Sequence, residues 1–126
     1  MSKKSTSPAL LLPLLVWAAV MLTVSSLPGS TLPTPGFWQW DKFAHLGEYS
    51  VLGFLFYRYL HYGFARPPQT TLLWSIAGVI AFGTLDELHQ LLIPLRSCSV
   101  FDMLADSSGA LIGASVAHFF YRTRNR

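Results

Sequence analysis

Residues 72–93 read LLWSIAGVIAFGTLDELHQLLI, a run that is apolar and uncharged through its first half and carries Asp86, Glu87, His89 and Gln90 in its second. Its length matches the roughly 20 residues needed to cross a hydrocarbon core of about 30 Å. Three further runs flank it. Residues 9–27 follow Lys3 and Lys4 and hold no charge, residues 43–62 end in Tyr57, Arg58, Tyr59, His61 and Tyr62, and residues 99–120 end in Tyr121, Arg122, Arg124 and Arg126. The four runs use most of a chain of 126 residues that is 52% apolar and 12% charged, with mean hydropathy +0.41. Soluble domains carry about a quarter charged residues, so the expected fold class is all-α: a membrane-spanning four-helix bundle forming a single domain over residues 1–126.

The first run also begins as a signal peptide would, but Val24-Ser25-Ser26 is a poor small-residue cleavage site and the run is long for a signal core. An uncleaved span is expected. Pro28–Gly36 forms a linker leading to Phe37, Trp38 and Trp40, aromatics suited to a membrane interface. Pro94 and Arg96 close the third run, and Ser97 and Ser99 are candidate caps for the fourth, with Ser99 and Asp102 placed as a capping box. With four spans, Lys3, Lys4, Arg58, Arg66, Arg122, Arg124 and Arg126 fall on one side and only Lys42 and Arg96 on the other. Cytoplasmic segments carry the excess of Lys and Arg, so both termini are expected in the cytoplasm. The net charge of +3 is scattered at the ends of apolar runs, which argues against a nucleic-acid partner. A single cysteine, Cys98, allows no internal disulfide and no Cys-based metal cage. It has no adjacent His and reads as a bystander thiol, while His61 and His118 read as interfacial side chains.

All six carboxylates, Asp41, Glu48, Asp86, Glu87, Asp102 and Asp106, lie in or at the edge of the last three runs. Acids inside spans are rare and face a bundle interior or a wet cavity. At 1.5 Å rise per residue, Glu48, Asp86 and Asp106 each sit about 10 Å inward from the same, extracytoplasmic, surface. Asp41, His45, Glu48 and Leu52 share one helical stripe, as do Asp86 with Gln90 and Asp102 with Asp106; the last stripe continues as Gly109, Gly113 and Ala117, a ridge permitting close helix approach. A polar pocket follows, lined by Asp41, His45, Glu48, Asp86, Glu87, His89, Gln90, Asp102 and Asp106 and capped by Lys42 and Arg96.

Three chemistries fit that pocket. One is acid–base work, since crowded carboxylates cannot all ionise and His45 or His89 can shuttle protons. A second is a divalent cation bound by His45, Glu48, Asp86, His89 and Asp102, ligand types suited to zinc or manganese and, for the carboxylates alone, magnesium or calcium. The third is structural, a network of hydrogen bonds and ion pairs with Lys42 or Arg96 that bridges helices at about 0.6 kcal/mol per bond. There is no phosphate loop, nucleophile elbow or dinucleotide fingerprint.

The run Asp41-Lys42-Phe43-Ala44-His45-Leu46-Gly47-Glu48-Tyr49, then Asp86-Glu87-Leu88-His89-Gln90 with Pro94 and Arg96, then Asp102-Met103-Leu104-Ala105-Asp106 with Gly109 and Gly113, resembles the VanZ-like family of small bacterial membrane proteins. The matching positions are Asp41, Lys42, His45, Tyr49, Glu87, Gln90, Arg96, Asp102 and Asp106. Leu95 stands where that family often has Gly, and Asp106 where it often has Asn. The resemblance implies a multi-pass protein of the bacterial inner (cytoplasmic) membrane in a cell-envelope setting, and an association with resistance to the glycopeptide antibiotic teicoplanin. Its partners would be membrane lipids and a lipid-linked envelope intermediate or the glycopeptide. As a binder, the chain would use Asp41, Lys42, Glu48, Tyr49, Asp86, Gln90 and Asp106. As an enzyme, Glu87 or Asp102 would act as base, His45 would shuttle the proton and Arg96 would hold an anionic head group.

Overall fold

Four α-helices form an up-and-down bundle in the computed structural model, which describes residues 7–31 and 38–124, the side chains of residues 38–40 excepted. They are α1 (Pro8–Ser25), α2 (Trp38–Phe64), α3 (Pro68–Gln90) and α4 (Val100–Arg124), with one short 3₁₀ turn at Gly29–Thr31. Phe37 and the side chains of Trp38 and Trp40, expected at an interface, lie outside the described residues, as do Lys3, Lys4 and Arg126. Helix α1 starts where Pro8 takes the first helical position and the Ser7 hydroxyl accepts from the Ala9 amide, a proline's missing N–H costing nothing there.

The helix ends differ from the sequence reading, most consequentially in α3 and α2. The third run stops being helical at Gln90 rather than Ile93, because Leu91, Leu92 and Ile93 donate to carbonyls three residues back and Pro94 disfavours helical geometry before it. The second run extends in both directions, so that Asp41 sits in the first turn of α2, where the helix dipole favours an anion. The four apolar runs also divide. Among the described residues, helices α1, α3 and α4 are long and apolar enough to cross a membrane; α2, though longer, has no stretch of comparable hydropathy. Helix α2 packs against the other three, most extensively α4, and these contacts cover polar side chains such as His45, Tyr49 and Tyr57.

The bundle is turned inside out relative to a soluble one. Leu12, Leu15, Leu73, Trp74, Leu111 and Phe119 point outward, whereas Ser75, Asp86, Glu87, Gln90, Asp102 and Asp106 are buried. Without a hydrophobic drive between helices in lipid, close packing must come from small residues. A Cβ on Gly109 would lie 2.6 Å from the Leu46 carbonyl oxygen and one on Gly113 only 1.8 Å from that of Ser50, so the backbones of α2 and α4 touch. Ala110, Ala114 and Ala117 complete the seam.

The polar ends of the helices gather at one end of the bundle. There the α3–α4 turn crosses the 3₁₀ turn: the Gly29 amide donates to the Pro94 carbonyl (3.0 Å). Leu95 takes φ 59°, a left-handed backbone, at the position the resembling family often fills with Gly. At the opposite end Leu10, Arg58, Tyr62, Tyr121 and Arg124 surround a shallow basic and aromatic opening.

Two stability outcomes follow. Gly113→Ala drives α2 from α4 and lowers unfolding free energy in detergent by about 2 kcal/mol. Leu95→Gly relieves the left-handed strain and raises it by about 1 kcal/mol, read by the same denaturant titration.

Candidate functional site

Asp41, Ala44, His45 and Glu48 of α2 line a cavity of about 200 Å³ together with Met21, Val24 and Ser25 of α1, Asp86 and Gln90 of α3, and Arg96 of the following turn. The helical stripe Asp41, His45, Glu48 therefore faces one space. Helix α1 contributes to it as well, which the sequence reading did not anticipate. Ser25 donates to Asp86 Oδ1 (2.5 Å) and accepts from Gln90 Nε2 (3.2 Å), while Tyr49 donates to Asp86 Oδ2 (3.2 Å). Asp86 is thus held by two hydroxyls from two other helices. The signal for Ser25 was a small polar residue at the closing end of an apolar run, at the level of the acids. It carried no weight because a single serine in a span is common.

Glu48 stands differently. Its backbone carbonyl accepts from Trp17 Nε1 (3.0 Å), tying α1 to α2, but its half-buried carboxylate has no hydrogen bond among the described residues. Arg96 sits at the rim, donating through Nε to the Leu27 carbonyl and through Nη2 to that of Val24 (3.0 Å each). Those two bonds clamp the end of α1 and, among the described residues, leave further guanidinium N–H groups unspent.

Behind the cavity lies a second layer. His45 Nδ1 donates to Asp106 Oδ1 (2.7 Å), with Asp41 Oδ1 3.8 Å from Nε2 on the ring's other side. Lys42 binds Asp102 from the adjoining flank of the α2–α4 seam. Glu87 is fully buried and accepts the Ser99 amide on Oε2 (3.2 Å). This corrects the capping box expected from Ser99 and Asp102: Ser99 does precede α4, but its N–H goes to Glu87 across the turn because Asp102 is taken by Lys42. Among the described residues, two groups of three side chains place ligand atoms within 4.8 Å of one another: Asp41, His45 and Asp102, and His45, Glu87 and Asp106.

The residues expected to act as one pocket are therefore split. Of the four proposed for acid–base catalysis, His45 and Arg96 line the cavity; Glu87 and Asp102 lie behind it. Of the five proposed as metal ligands, only His45 and Asp102 fall in a close group, and they do so with Asp41. Asp86 is bound to Ser25 and Tyr49, Glu48 faces the cavity, and His89 Nε2 lies 3.1 Å from the Ser26 hydroxyl at the edge of the α1–α3 contact. Lys42, expected as a cap with Arg96, instead neutralises Asp102. Toward the other end, the half-buried His118 places Nδ1 3.1 Å from the hydroxyl of the fully buried Tyr57.

The family model for VanZ/LLP1 matches residues 2–121. The chain belongs to this family. No curated protein and no solved structure matches it. The VanZ/LLP1 match covers α1 as well as the three motif-bearing helices, in keeping with the part that Ser25 plays in the site. With its three long apolar helices, this VanZ/LLP1 chain is a membrane protein.

The Lys42–Asp102 pair is testable by removal of one partner. Lys42→Met leaves Asp102 buried without its cation and destabilises the chain on the order of 3 kcal/mol. Adding Asp102→Leu to that variant recovers most of the loss, measured as a double-mutant cycle in detergent.

Proposed function

We propose that this VanZ/LLP1 chain is a multi-pass protein of the bacterial cytoplasmic membrane, both termini cytoplasmic, whose cavity opens at the outer leaflet and binds the amine-bearing head of a cell-envelope component. The observation that carries this reading is the Glu48 carboxylate, which lines the cavity and has no hydrogen-bond partner among the described residues. Asp41 and Asp86 line the same space, so its floor is acidic. A desolvated carboxylate gains most from a ligand that brings positive charge and N–H donors. Arg96 at the rim, with donors to spare, suits a phosphate next to that amine. Together they describe the head of an aminophospholipid or of a lipid-linked envelope intermediate.

Size supports the same class. A cavity of about 200 Å³ lies below the roughly 300–1,000 Å³ of sites enclosing drug-sized ligands, so a head group enters and a whole glycopeptide does not. Any change in teicoplanin susceptibility would then act through the envelope component held at the site rather than by capture of the antibiotic. Orientation rests on charge: Arg58, Arg66, Arg122 and Arg124 stand at the end away from the cavity, the bias of a cytoplasmic face.

Native mass spectrometry of the full chain, released from membranes containing equal phosphatidylethanolamine and phosphatidylglycerol, should show preferential retention of the amine-bearing lipid. Glu48→Gln should weaken that retention about tenfold, the loss of one charge-assisted hydrogen bond. Equal retention of both lipids, or an unchanged preference in the variant, overturns the reading.

A further inference from the structure

We infer that His45, Glu87 and Asp106 form a binding site for one divalent cation of the zinc or manganese class, enclosed between α2, α3 and α4. The three residues are buried and bring a ligand atom each within 4.8 Å of one another. What distinguishes them from an ordinary cluster of acids is unused bonding capacity. Glu87 Oε1 and Asp106 Oδ2 are both buried and neither has a hydrogen-bond partner among the described residues, although Glu87 is 0% and Asp106 2% exposed. Buried polar atoms in native proteins are nearly always satisfied, and an orphan calls for an unseen water or ion.

Charge and donor type both favour a cation. Two carboxylates, a neutral imidazole and a divalent ion sum to zero, which suits a buried site. One nitrogen and two oxygens, with no thiolate, are ligands of intermediate hardness, the set that zinc and manganese accept. Bonds of about 2.0–2.2 Å to zinc require the three ligand atoms to draw in slightly from their present separations. The alternative group, Asp41, His45 and Asp102, is less suited, because Lys42 already neutralises Asp102 there.

The surroundings are arranged as metal sites require. Ligating groups are oriented by partners one shell out. Ser99 donates its amide to Glu87 Oε2 and so fixes the carboxylate with Oε1 left over. Asp106 is seated by Gly83, where a Cβ would lie 3.3 Å from Oδ2 and 3.2 Å from the Asp106 Cβ. The cation takes the place of the proton on His45 Nδ1 that joins it to Asp106; that proton moves to Nε2, toward Asp41 Oδ1 at 3.8 Å, and the ring stays neutral. His45 also lines the cavity, which gives the ion a path of entry. This site goes beyond the lipid-binding reading, since its three ligands hold a cation whether or not the cavity holds an amine.

The full chain, purified in detergent, stripped with chelator and dialysed against zinc or manganese alone, should retain about one ion per chain by elemental analysis. Its melting temperature should rise with the metal. Glu87→Gln and Asp106→Asn should each lower metal affinity about 10–100-fold and lose the metal-dependent rise, while unfolding no earlier than the metal-free wild type. Glu48→Gln should bind metal like the wild type even though it loses lipid preference, which separates this inference from the previous one. Absence of retained metal in the wild-type chain, undiminished binding by Glu87→Gln, or loss of metal in Glu48→Gln would overturn it; the wild-type stoichiometry decides even if a variant fails to fold.

Discussion

A carboxylate carried into an apolar bundle must meet a partner within hydrogen-bond reach, because neither water nor lipid will compensate its charge there. The upper half of this molecule is organised by that requirement. Asp86 is met by Ser25 and Tyr49, Asp102 by Lys42, Asp106 by His45 and Glu87 by the Ser99 amide. Each bond joins separate elements, so neutralising the charges also fixes how the helices and the α3–α4 turn sit together. Where the requirement is incompletely met, at Glu48, Glu87 Oε1 and Asp106 Oδ2, the molecule has capacity left for a ligand.

That network depends on how closely α2 and α4 approach. His45 reaches Asp106 and Lys42 reaches Asp102 because Gly109 and Gly113 remove the side chains that would hold the two backbones apart. Packing and polarity therefore support each other: the small-residue seam brings the charged pairs together, and the charged pairs lock the seam's register. In lipid, where helices gain nothing from burying leucine against leucine, those are the forces that remain. The outward leucines and phenylalanines serve solubility in the bilayer and contribute little to specificity.

Two layers of polar chemistry result. The outer one is a cavity whose lining comes from three helices and the turn after α3, with Arg96 clamped to the end of α1 at its rim. The inner one is the buried group of His45, Glu87 and Asp106. His45 borders both, one ring nitrogen facing Asp41 and the other Asp106.

Helix number and class, the inward stripes on α2, α3 and α4, the close α2–α4 ridge and the clustering of acids at one end were legible from the chain alone, because span length, helical period and the cost of intramembrane charge are local properties of sequence. The end of α3 three residues early was partly legible in Pro94. The pairing of partners was not. Nothing in the spacing of Asp102 says that it prefers Lys42 to the Ser99 amide, or that Asp86 belongs to Ser25 of α1, since helical periodicity gives a face and not the neighbour that covers it. Which carboxylates share a space is set by helix rotation and depth to within a few ångströms. Only the assembled bundle fixes those, and it alone separated an open cavity at Glu48 from a closed group at Glu87.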